Sequence, residues 1–301
     1  MPEVRPESSG PAPERDPGSE PRLWSQVDLD GVEEFVFGRG RCAVYTRRSP
    51  IKETVNEDAA LVVSVDPDRV VLAVADGLGG QAAGERASRA ALEAVAEAVL
   101  VAAERGGELR NGVLDGLESA DRAIRQFGIG AGTTICVATI EDRMLRTFHV
   151  GDAAALVTGQ RGRLKHATVS HSPVGYLQEA GVIDEDEAIH HAERHLVSNA
   201  VGLGDMKIEV GPVLQLAARD TVVLASDGLW DNLRVDEVAE AVRTGPVAAA
   251  AGRLAERTAR RMAGAEADQP AKPDDVVLLV WRALASPGVP GSNHDGRMRG
   301  P

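Results

Sequence analysis

The sequence has few cysteines. Of its 301 residues only Cys42 and Cys136 are cysteine, and neither belongs to a Cys-x-x-Cys pair. Both lie in apolar, strand-like stretches, which favours buried, reduced thiols over a disulfide or a nucleophile.

Basic charge and long apolar runs are also scarce. The net charge of −13 argues against general binding to nucleic acid or to an anionic membrane, because both need a basic surface. No stretch approaches the roughly 20 apolar residues of a membrane-spanning helix, and the N-terminus lacks the apolar core of a signal peptide. We therefore expect a cytoplasmic protein.

The two ends of the chain are poor in apolar residues. Residues 1–30 are rich in Pro, Glu, Ser and Gly, a composition that does not offset the entropy lost on ordering. We predict a disordered N-terminal arm over 1–30 and, by the same argument, a flexible tail over 286–301.

The periodicity of apolar residues predicts strands, then helices, then strands, then helices and a last strand, with no internal repeat. Strands are expected at 35–46, 59–65, 70–75, 134–140, 145–150, 154–158, 221–226 and 276–281, and helices at 84–105, 113–126, 235–243 and 247–263. Short connections between consecutive strands indicate antiparallel sheets, and the helix pairs must cover sheet faces. The fold class is therefore α+β, a layered sandwich.

Separated acidic residues stand at the ends of apolar runs. They are Asp58, Asp76, Asp152, Asp227 and Asp274. A single Asp at a strand end is usually a turn residue. Several that can be aligned indicate a site for a hard cation, because magnesium and manganese take oxygen ligands from several chain segments.

The first two acids can be aligned from the sequence. The runs 59–65 and 70–75 are joined by Asp66-Pro67-Asp68-Arg69, which predicts a hairpin. Asp58 and Asp76 are equally far from Pro67, so antiparallel pairing brings them to the same end of the sheet.

The later strands repeat the arrangement, since Asp227 follows 221–226 and Asp274 precedes 276–281. Two carboxylates 4 Å apart repel by roughly 4 kcal/mol at an effective dielectric near 20. Such a cluster therefore calls for a cation.

The glycines after Asp76 allow a second interpretation. Gly77, Gly79 and Ala82 formally satisfy G-x-G-x-x-A, a dinucleotide fingerprint. Asp76 would place a negative charge where the pyrophosphate sits, and no parallel strand with an acidic end follows the helix. Glycines that let a backbone carbonyl approach a metal ion fit the pattern better.

Six motifs in this order resemble those of the metal-dependent protein phosphatases of type 2C, in the form common among bacteria. They are Asn56-Glu57-Asp58, Asp76-Gly77-Leu78-Gly79-Gly80, Gly132-Thr133-Thr134, His149-Val150-Gly151-Asp152, Ser226-Asp227-Gly228-Leu229-Trp230-Asp231 and Pro273-Asp274-Asp275-Val276. The resemblance covers residues 36–285. It implies a catalytic domain there, built as a four-layer αββα sandwich of two antiparallel sheets flanked by helix pairs.

The resemblance also implies a centre of two manganese or magnesium ions that bridge a water. The carboxylates that match its ligands are Asp58, Asp76, Asp227 and Asp274. Asp274 is preferred over Asp275 because the family's D-[ND]-x-[ST]-V stretch uses its first acid, which leaves Asp275 behind the ligands. Zinc is disfavoured because neither Cys nor His is among these residues.

Four further residues match supporting positions of that centre. Gly77 matches a backbone-carbonyl ligand, Glu57 and Asp231 match residues that hold metal-bound water, and Asp152 matches the ligand of a third, looser ion. The implied reaction is hydrolysis of phosphoserine and phosphothreonine, with hydroxide as the nucleophile. The implied partners are phosphorylated proteins, targets of a serine/threonine kinase, and the family default is a monomer.

Three departures from the family pattern raise an alternative. The usual phosphate-binding Arg is replaced by Glu53, which leaves the adjacent Lys52 as the candidate for substrate phosphate. The usual Ser-Arg after Gly-Asp is Ala153-Ala154, and the usual Asp before His171 is Ser170. Glu53 and Ala153-Ala154 support the alternative, a non-catalytic, metal-binding pseudophosphatase that acts as a regulatory binding protein. Within hydrolases, a separate rival is a phosphatase for one dedicated regulator, which a long sensory domain would have favoured.

The stretch from Ser172 to His195 corresponds to the family's flap beside the active site. Its acidic run 184–187 is too charged for a core, and predicts either a solvated loop leading into a short helix or a substrate-selecting lid. His171, just before the flap, is as a lone histidine more often structural than a proton donor.

Overall fold

Two antiparallel sheets lie face to face between layers of helices. The computed structural model describes residues 20–78, 83–266 and 269–284. The strands of this part are β1 Arg22–Ser25, β2 Glu33–Phe37, β3 Gly40–Arg47, β4 Asp58–Asp66, β5 Arg69–Gly77, β6 Thr133–Glu141, β7 Met144–Val150, β8 Ala154–Thr158, β9 Leu164–Ala167, β10 Glu209–Val210, β11 Leu214–Gln215, β12 Thr221–Ala225 and β13 Val276–Ala283. The helices are α1 Gly84–Glu104, α2 Leu109–Arg125, α3 Pro173–Glu179, α4 Glu185–Ile189, α5 Asp227–Trp230, α6 Val235–Val242 and α7 Val247–Met262.

The order of the strands defines the two sheets. The first sheet runs β1-β4-β5-β6-β7-β10, with β11 also paired to β7, and the second runs β2-β3-β13-β12-β8-β9. The pairings between these strands are antiparallel. The predicted α+β sandwich is therefore confirmed, and the antiparallel pairing of β5 with β6 is not that of a dinucleotide-binding sheet. Gly79 and Ala82 of that fingerprint lie outside the described residues.

The β4–β5 hairpin has the predicted register. Asp66 accepts hydrogen bonds from the backbone N–H groups of Asp68 and Arg69, both at 2.9 Å, which closes the turn. At the other end Asp58 is paired directly with Asp76. The turn chemistry thus fixes which side chains meet at the open edge of the sheet.

Helices α1 and α2 cover the outer face of the first sheet. Their buried stripes include Leu92 and Val95 on α1 and Leu117 on α2. The two helices can pack closely because Gly112 has no side chain. A Cβ atom at this position would lie 2.9 Å from the Cα atom of Val99. Helices α5, α6 and α7 cover the second sheet in the same way.

The core between the sheets contains both cysteines. Cys42 on β3 and Cys136 on β6 are fully buried and free, and burial raises the pKa of each thiol. The prediction of buried, reduced thiols is confirmed. No helix in the described part of the chain is long and apolar enough to cross a membrane.

The prediction of disorder over 1–30 is wrong for its last third. Residues 22–25 form β1, which pairs with β4, and Trp24 of this strand is buried against Phe35 with ring centroids 5.5 Å apart. Leu23 and Trp24 are two apolar residues among polar neighbours, which is too weak an apolar pattern to predict a strand. The structured part therefore begins before residue 36, while residues 1–19 and the tail 286–301 lie outside the described residues.

Replacing Trp24 with alanine tests whether β1 belongs to the cooperative fold. We expect Trp24→Ala to lower the free energy of unfolding by about 3 kcal/mol, because it removes a buried aromatic ring. The matched control is Val36→Ala at an exposed position of β2, for which a change within about 0.5 kcal/mol is expected. Urea unfolding followed by circular dichroism measures both, and a Trp24 effect no larger than the control's contradicts the prediction.

Candidate metal centre

The predicted acidic residues meet at one edge of the sandwich. Asp58 and Asp76 are register partners on β4 and β5 of the first sheet. Asp227 begins α5 directly after β12, and Asp274 lies just before β13 of the second sheet. Asp152 lies between β7 and β8, and Asp227 and Asp152 each raise the pKa of Asp76. The strand ends thus bring acids from both sheets into one electrostatic cluster.

A buried serine joins the β4–β5 hairpin to the paired strands β12 and β13 at this edge. The Ser226 hydroxyl donates to Asp58 Oδ2 at 2.6 Å and accepts from the backbone N–H of Val277 at 3.1 Å. Asn56 fixes the other side of Asp58, since its Oδ1 accepts the Asp58 N–H at 3.0 Å. Ser226 and Asn56 belong to the motifs that carry the acids, so adjacency in sequence was the available signal for them.

The carboxylate of Asp275 accepts hydrogen bonds from the loop that precedes β4. Its Oδ1 accepts from the Ser49 N–H at 2.8 Å, and its Oδ2 accepts from the Glu57 N–H and from Lys52 Nζ, both at 2.7 Å. Asp274 is 39% exposed at its side chain and faces the other acids. This geometry supports the assignment of Asp274 to the centre and of Asp275 to a place behind it.

Gly77 admits no side chain. A Cβ atom there would lie 2.4 Å from the carbonyl carbon and oxygen of Gly84, and its N–H donates to the Glu57 carbonyl at 3.2 Å. The end of β5 is thus held against the start of α1, as a backbone ligand beside Asp76 requires.

The acids are electrostatically strained when no metal ion is present. Burial, followed by repulsion from neighbouring carboxylates, raises the pKa of Asp58 and Asp76 well above the ordinary value. The same two causes raise the pKa of Asp152 to about 8, of Asp231 to about 7 and of Asp274 to about 6. Asp152 Oδ1 is buried without a hydrogen-bond partner among the described residues. A set of carboxylate oxygens whose negative charge is not fully compensated fits a hard divalent ion.

One cation inside this cluster was not found from the sequence. Lys272 Nζ lies 2.5 Å from Asp227 Oδ2, 2.6 Å from Asp231 Oδ2 and 3.2 Å from Asp274 Oδ2. Burial alone would lower the pKa of Lys272, but the three carboxylates outweigh it and raise the pKa above its ordinary value. A lone lysine before a proline carries no sequence signal for such a position.

The loop before β4 has no arginine at the position where the resembled family binds substrate phosphate. Glu53 is exposed. Lys52 Nζ pairs with Asp275 and with Glu57, so its charge is already shared by two carboxylates. Arg48, upstream, pairs with Asp28 at 3.2 Å. The assignment of Lys52 to substrate phosphate stays a prediction, and these contacts disfavour it.

A cavity of about 350 Å³ opens beside the acids, next to α3 and α4. Asp152, Asp227 and Asp231 line it, together with Arg194 from the flap. Arg194 Nε is buried without a hydrogen-bond partner among the described residues, and its Nη1 makes one long contact of 3.4 Å to the His191 carbonyl. This guanidinium was missed by sequence reasoning, because distance along the chain hid its proximity to the acids.

The acidic run of the flap caps and anchors a short helix. Asp184 and Glu187 form a capping box at the start of α4. Glu185 accepts from the Val235 N–H at 2.6 Å, and Asp186 pairs with Arg234. The predicted short helix is confirmed, and its acids hold the flap onto the start of α6.

A group of two histidines and a glutamate lies behind Asp152. The ligand atoms of His149, His171 and Glu209 fall within 4.8 Å of one another. However, the Gly151 N–H donates to His171 Nδ1 at 3.2 Å, so His171 Nε2 carries the proton and faces Glu209 Oε2 at 3.2 Å. The group therefore fits a hydrogen-bonded support for the Gly151 turn better than a metal site, in line with a structural His171.

Comparison with known proteins gives consistent matches. A family model described as protein phosphatase 2C matches residues 48–265. The serine/threonine protein phosphatase PstP of Mycobacterium tuberculosis is 31% identical over 244 residues, which are 76% of this chain and 44% of PstP. Protein phosphatase PhpP of Streptococcus pneumoniae is 30% identical over 64% of this chain and 80% of PhpP. This chain thus matches less than half the length of PstP.

Solved structures agree in fold. The PPM Ser-Thr phosphatase MsPP of Mycobacterium smegmatis, in complex with cacodylate, has a TM-score of 0.66 at 25% identity, covering 81% of this chain and 98% of MsPP. The catalytic domain of PstP in complex with two manganese ions has a TM-score of 0.62 at 25% identity, covering 82% of this chain and 99% of that domain.

The raised pKa values predict an unusual pH dependence for the metal-free protein. An unfolded Asp titrates near pH 4, so the contribution of Asp274, Asp231 and Asp152 to stability is fully present below pH 4 and is lost as the pH rises through about 6 to 8. We expect the Tm in EDTA to fall by roughly 5 °C or more between pH 5 and pH 8.5.

Calorimetry of the wild type, Asp152→Asn and Asp236→Asn tests this dependence. Asp152→Asn should flatten the fall above pH 7, whereas Asp236, exposed in the first turn of α6, should leave it unchanged. A metal-free Tm that rises over this range contradicts the prediction.

Proposed function

This chain belongs to the protein phosphatase 2C family, and on that premise we propose that it is a metal-dependent phosphoprotein phosphatase acting on phosphoserine and phosphothreonine. The observation that carries the proposal is the cluster of buried carboxylates from both sheets, whose pKa values are raised by burial and by one another. Strained acids at a cavity mouth are typical of a catalytic centre.

The residues for two manganese or magnesium ions are those that the strand ends present. Asp58, Asp76, Asp227 and Asp274, with the Gly77 carbonyl, would hold them, and Asp152 would hold a third ion. Such ions lower the pKa of a shared water and polarise phosphoryl oxygens. Zinc is disfavoured by the all-oxygen donor set.

The surrounding residues would keep this set in place. Asp275 and Ser226 fix the loop before β4 and the Asp58 carboxylate by hydrogen bonds, so that the oxygens are aligned before substrate arrives. Glu57 and Asp231 would orient water at the edge of the centre. The protein thus supplies rigid positioning.

We infer that Arg194 binds the phosphate group of the substrate. Its Nε lacks a partner among the described residues, and its side chain lines the same cavity as Asp227 and Asp231. A guanidinium can bind a phosphate with two parallel hydrogen bonds, which a lysine cannot. Arg194 would therefore replace, from the flap, the cation that the family places where this chain has Glu53.

The natural substrates would be proteins that a serine/threonine kinase has phosphorylated. The names of PstP and PhpP, a serine/threonine protein phosphatase and a protein phosphatase, support this class of substrate. The alternative is a pseudophosphatase that binds metal without turnover. Glu53 and Ala153-Ala154 favour it, whereas the intact carboxylates of the centre count against it. A monomer in the cytoplasm stays the expectation from the sequence.

Hydrolysis of p-nitrophenyl phosphate and of a phosphothreonine peptide tests the proposal. We expect turnover with manganese or magnesium and none with EDTA, because the proposed hydrolysis needs a water that is activated by metal. Asp227→Asn should lower kcat/KM by roughly 100-fold or more, since loss of a mere supporting residue of a metal site costs 10- to 100-fold. The exposed Asp236→Asn is the matched control and should retain activity.

The two functions give opposite results in this experiment. Absence of turnover in a protein that binds manganese in a calorimetric titration would favour the pseudophosphatase. Equal activity of Asp227→Asn and Asp236→Asn would remove Asp227 from the centre.

Replacing Arg194 separates phosphate binding from chemistry at the metal centre. We expect Arg194→Met to raise KM for the phosphothreonine peptide by roughly 10- to 100-fold, the range for a lost charge-assisted hydrogen bond of about 1.5–3 kcal/mol. Arg194→Lys should be intermediate, and Arg163→Met, at an exposed position, should match the wild type. Steady-state kinetics with saturating manganese measures all four proteins, and an unchanged KM in Arg194→Met refutes the assignment.

A further inference from the structure

The ammonium group of Lys272 lies among oxygens that the proposed centre needs for metal. Its Nζ lies within 3.2 Å of one oxygen each of Asp227, Asp231 and Asp274. The lysine side chain is 17% exposed, so it occupies the interior of the cluster and retains a path to solvent. Lys272 is thus bound where a divalent ion shared by Asp227 and Asp274 would bind.

The backbone of Lys272 is fixed by a buried asparagine. Asn232, fully buried, accepts the Lys272 N–H through Oδ1 at 3.0 Å and donates through Nδ2 to the Lys272 carbonyl at 2.9 Å. The same Nδ2 donates to the Gly228 carbonyl at 2.9 Å. Because α5 and residue 272 are held together, the lysine side chain can move without any movement of the acids.

We propose that Lys272 is a built-in counter-ion that competes with a divalent metal ion for Asp227, Asp231 and Asp274. The proposal rests on the function proposed above, since it concerns the same metal centre. In the metal-free protein the ammonium neutralises part of the buried negative charge. Binding of the ion at these oxygens requires the side chain of Lys272 to swing away.

The two cations exclude each other for geometric and electrostatic reasons. Mg²⁺ binds carboxylate oxygens at 2.0–2.1 Å and requires a nearly ideal octahedral arrangement. An ammonium 2.5 Å from Asp227 Oδ2 would then lie within contact distance of the ion, where two positive charges repel strongly. The lysine side chain has four rotatable bonds, which makes displacement the easier response.

The consequence is a metal affinity set by a residue that is not a ligand. Asp58 and Asp76 make no hydrogen bond or ion pair with Lys272 among the described contacts. An ion held by Asp58 and Asp76 therefore competes less with the Lys272 ammonium than an ion held by Asp227 and Asp274 does. The chain is therefore expected to load its ions unequally, with weak binding on the side of Asp227.

Calorimetric titration with Mn²⁺ tests the competition without using activity. Lys272→Met keeps the length of the side chain and removes its charge, and we expect it to tighten the weaker Mn²⁺ step by about tenfold. Lys207→Met, at an exposed position, should bind Mn²⁺ as the wild type does. In EDTA, Lys272→Met should have a lower Tm than the wild type, because the acids lose their counter-ion.

The outcomes distinguish this proposal from the proposed function. A wild type that binds Mn²⁺ and a Lys272→Met variant with the same or weaker affinity would overturn the counter-ion and leave the phosphatase intact. A wild type that binds no Mn²⁺ would overturn both.

Amine labelling of the wild type gives a second test that holds even if the variant does not fold. Acetylation at constant pH, read by mass spectrometry, should modify Lys272 slowly in EDTA and several-fold faster with Mn²⁺, because the ammonium is released from the carboxylates. Lys207 is the internal control and should react equally in both. Labelling of Lys272 that is unchanged or slowed by Mn²⁺ refutes the displacement.

Discussion

The repulsion between carboxylates at one edge of the sandwich is the constraint on which the rest of the structure depends. Asp58 and Asp76 are direct register partners, so their strands cannot separate to relieve the repulsion without breaking the hairpin. Burial makes this worse, since it removes the water that would screen the charges. Relief therefore comes from protonation of the acids or from neighbouring cations, and Lys272 and Lys52 each contact at least two acids at this edge.

The same contacts join the two sheets. Ser226, after β12, binds Asp58 of β4, while Asp275, before β13, binds the backbone of Ser49 and Glu57 in the loop that leads to β4. These hydrogen bonds are buried or partly buried and link residues far apart in sequence, so they close the sandwich at the edge where the acids lie. Stability of the fold and geometry of the centre consequently depend on one set of side chains, and a change in either affects the other.

The parts that were predictable from the sequence are those that local chemistry determines. The Asp66-Pro67 turn fixes the register that pairs Asp58 with Asp76, and periodicity located the longer helices within a few residues. Lys272 and Arg194 were not predictable, because only the folded loops bring their long side chains to the acids. Strand β1 was missed because the burial of Trp24 is created by β4 and Phe35, not by its own neighbours in sequence.

The charge of the centre also bears on the order of binding. A phosphoserine or phosphothreonine carries nearly two negative charges at neutral pH. In the metal-free protein its approach is opposed by the acidic residues of the cavity wall, among them Asp227 and Asp231, and favoured by the guanidinium of Arg194. Divalent ions would reduce this repulsion, and they would also release the ammonium of Lys272 from the carboxylates under the competition proposed above. Phosphate binding and metal binding would then be coupled: bound ions favour binding of the substrate phosphate, and by linkage the bound phosphate favours binding of the ions.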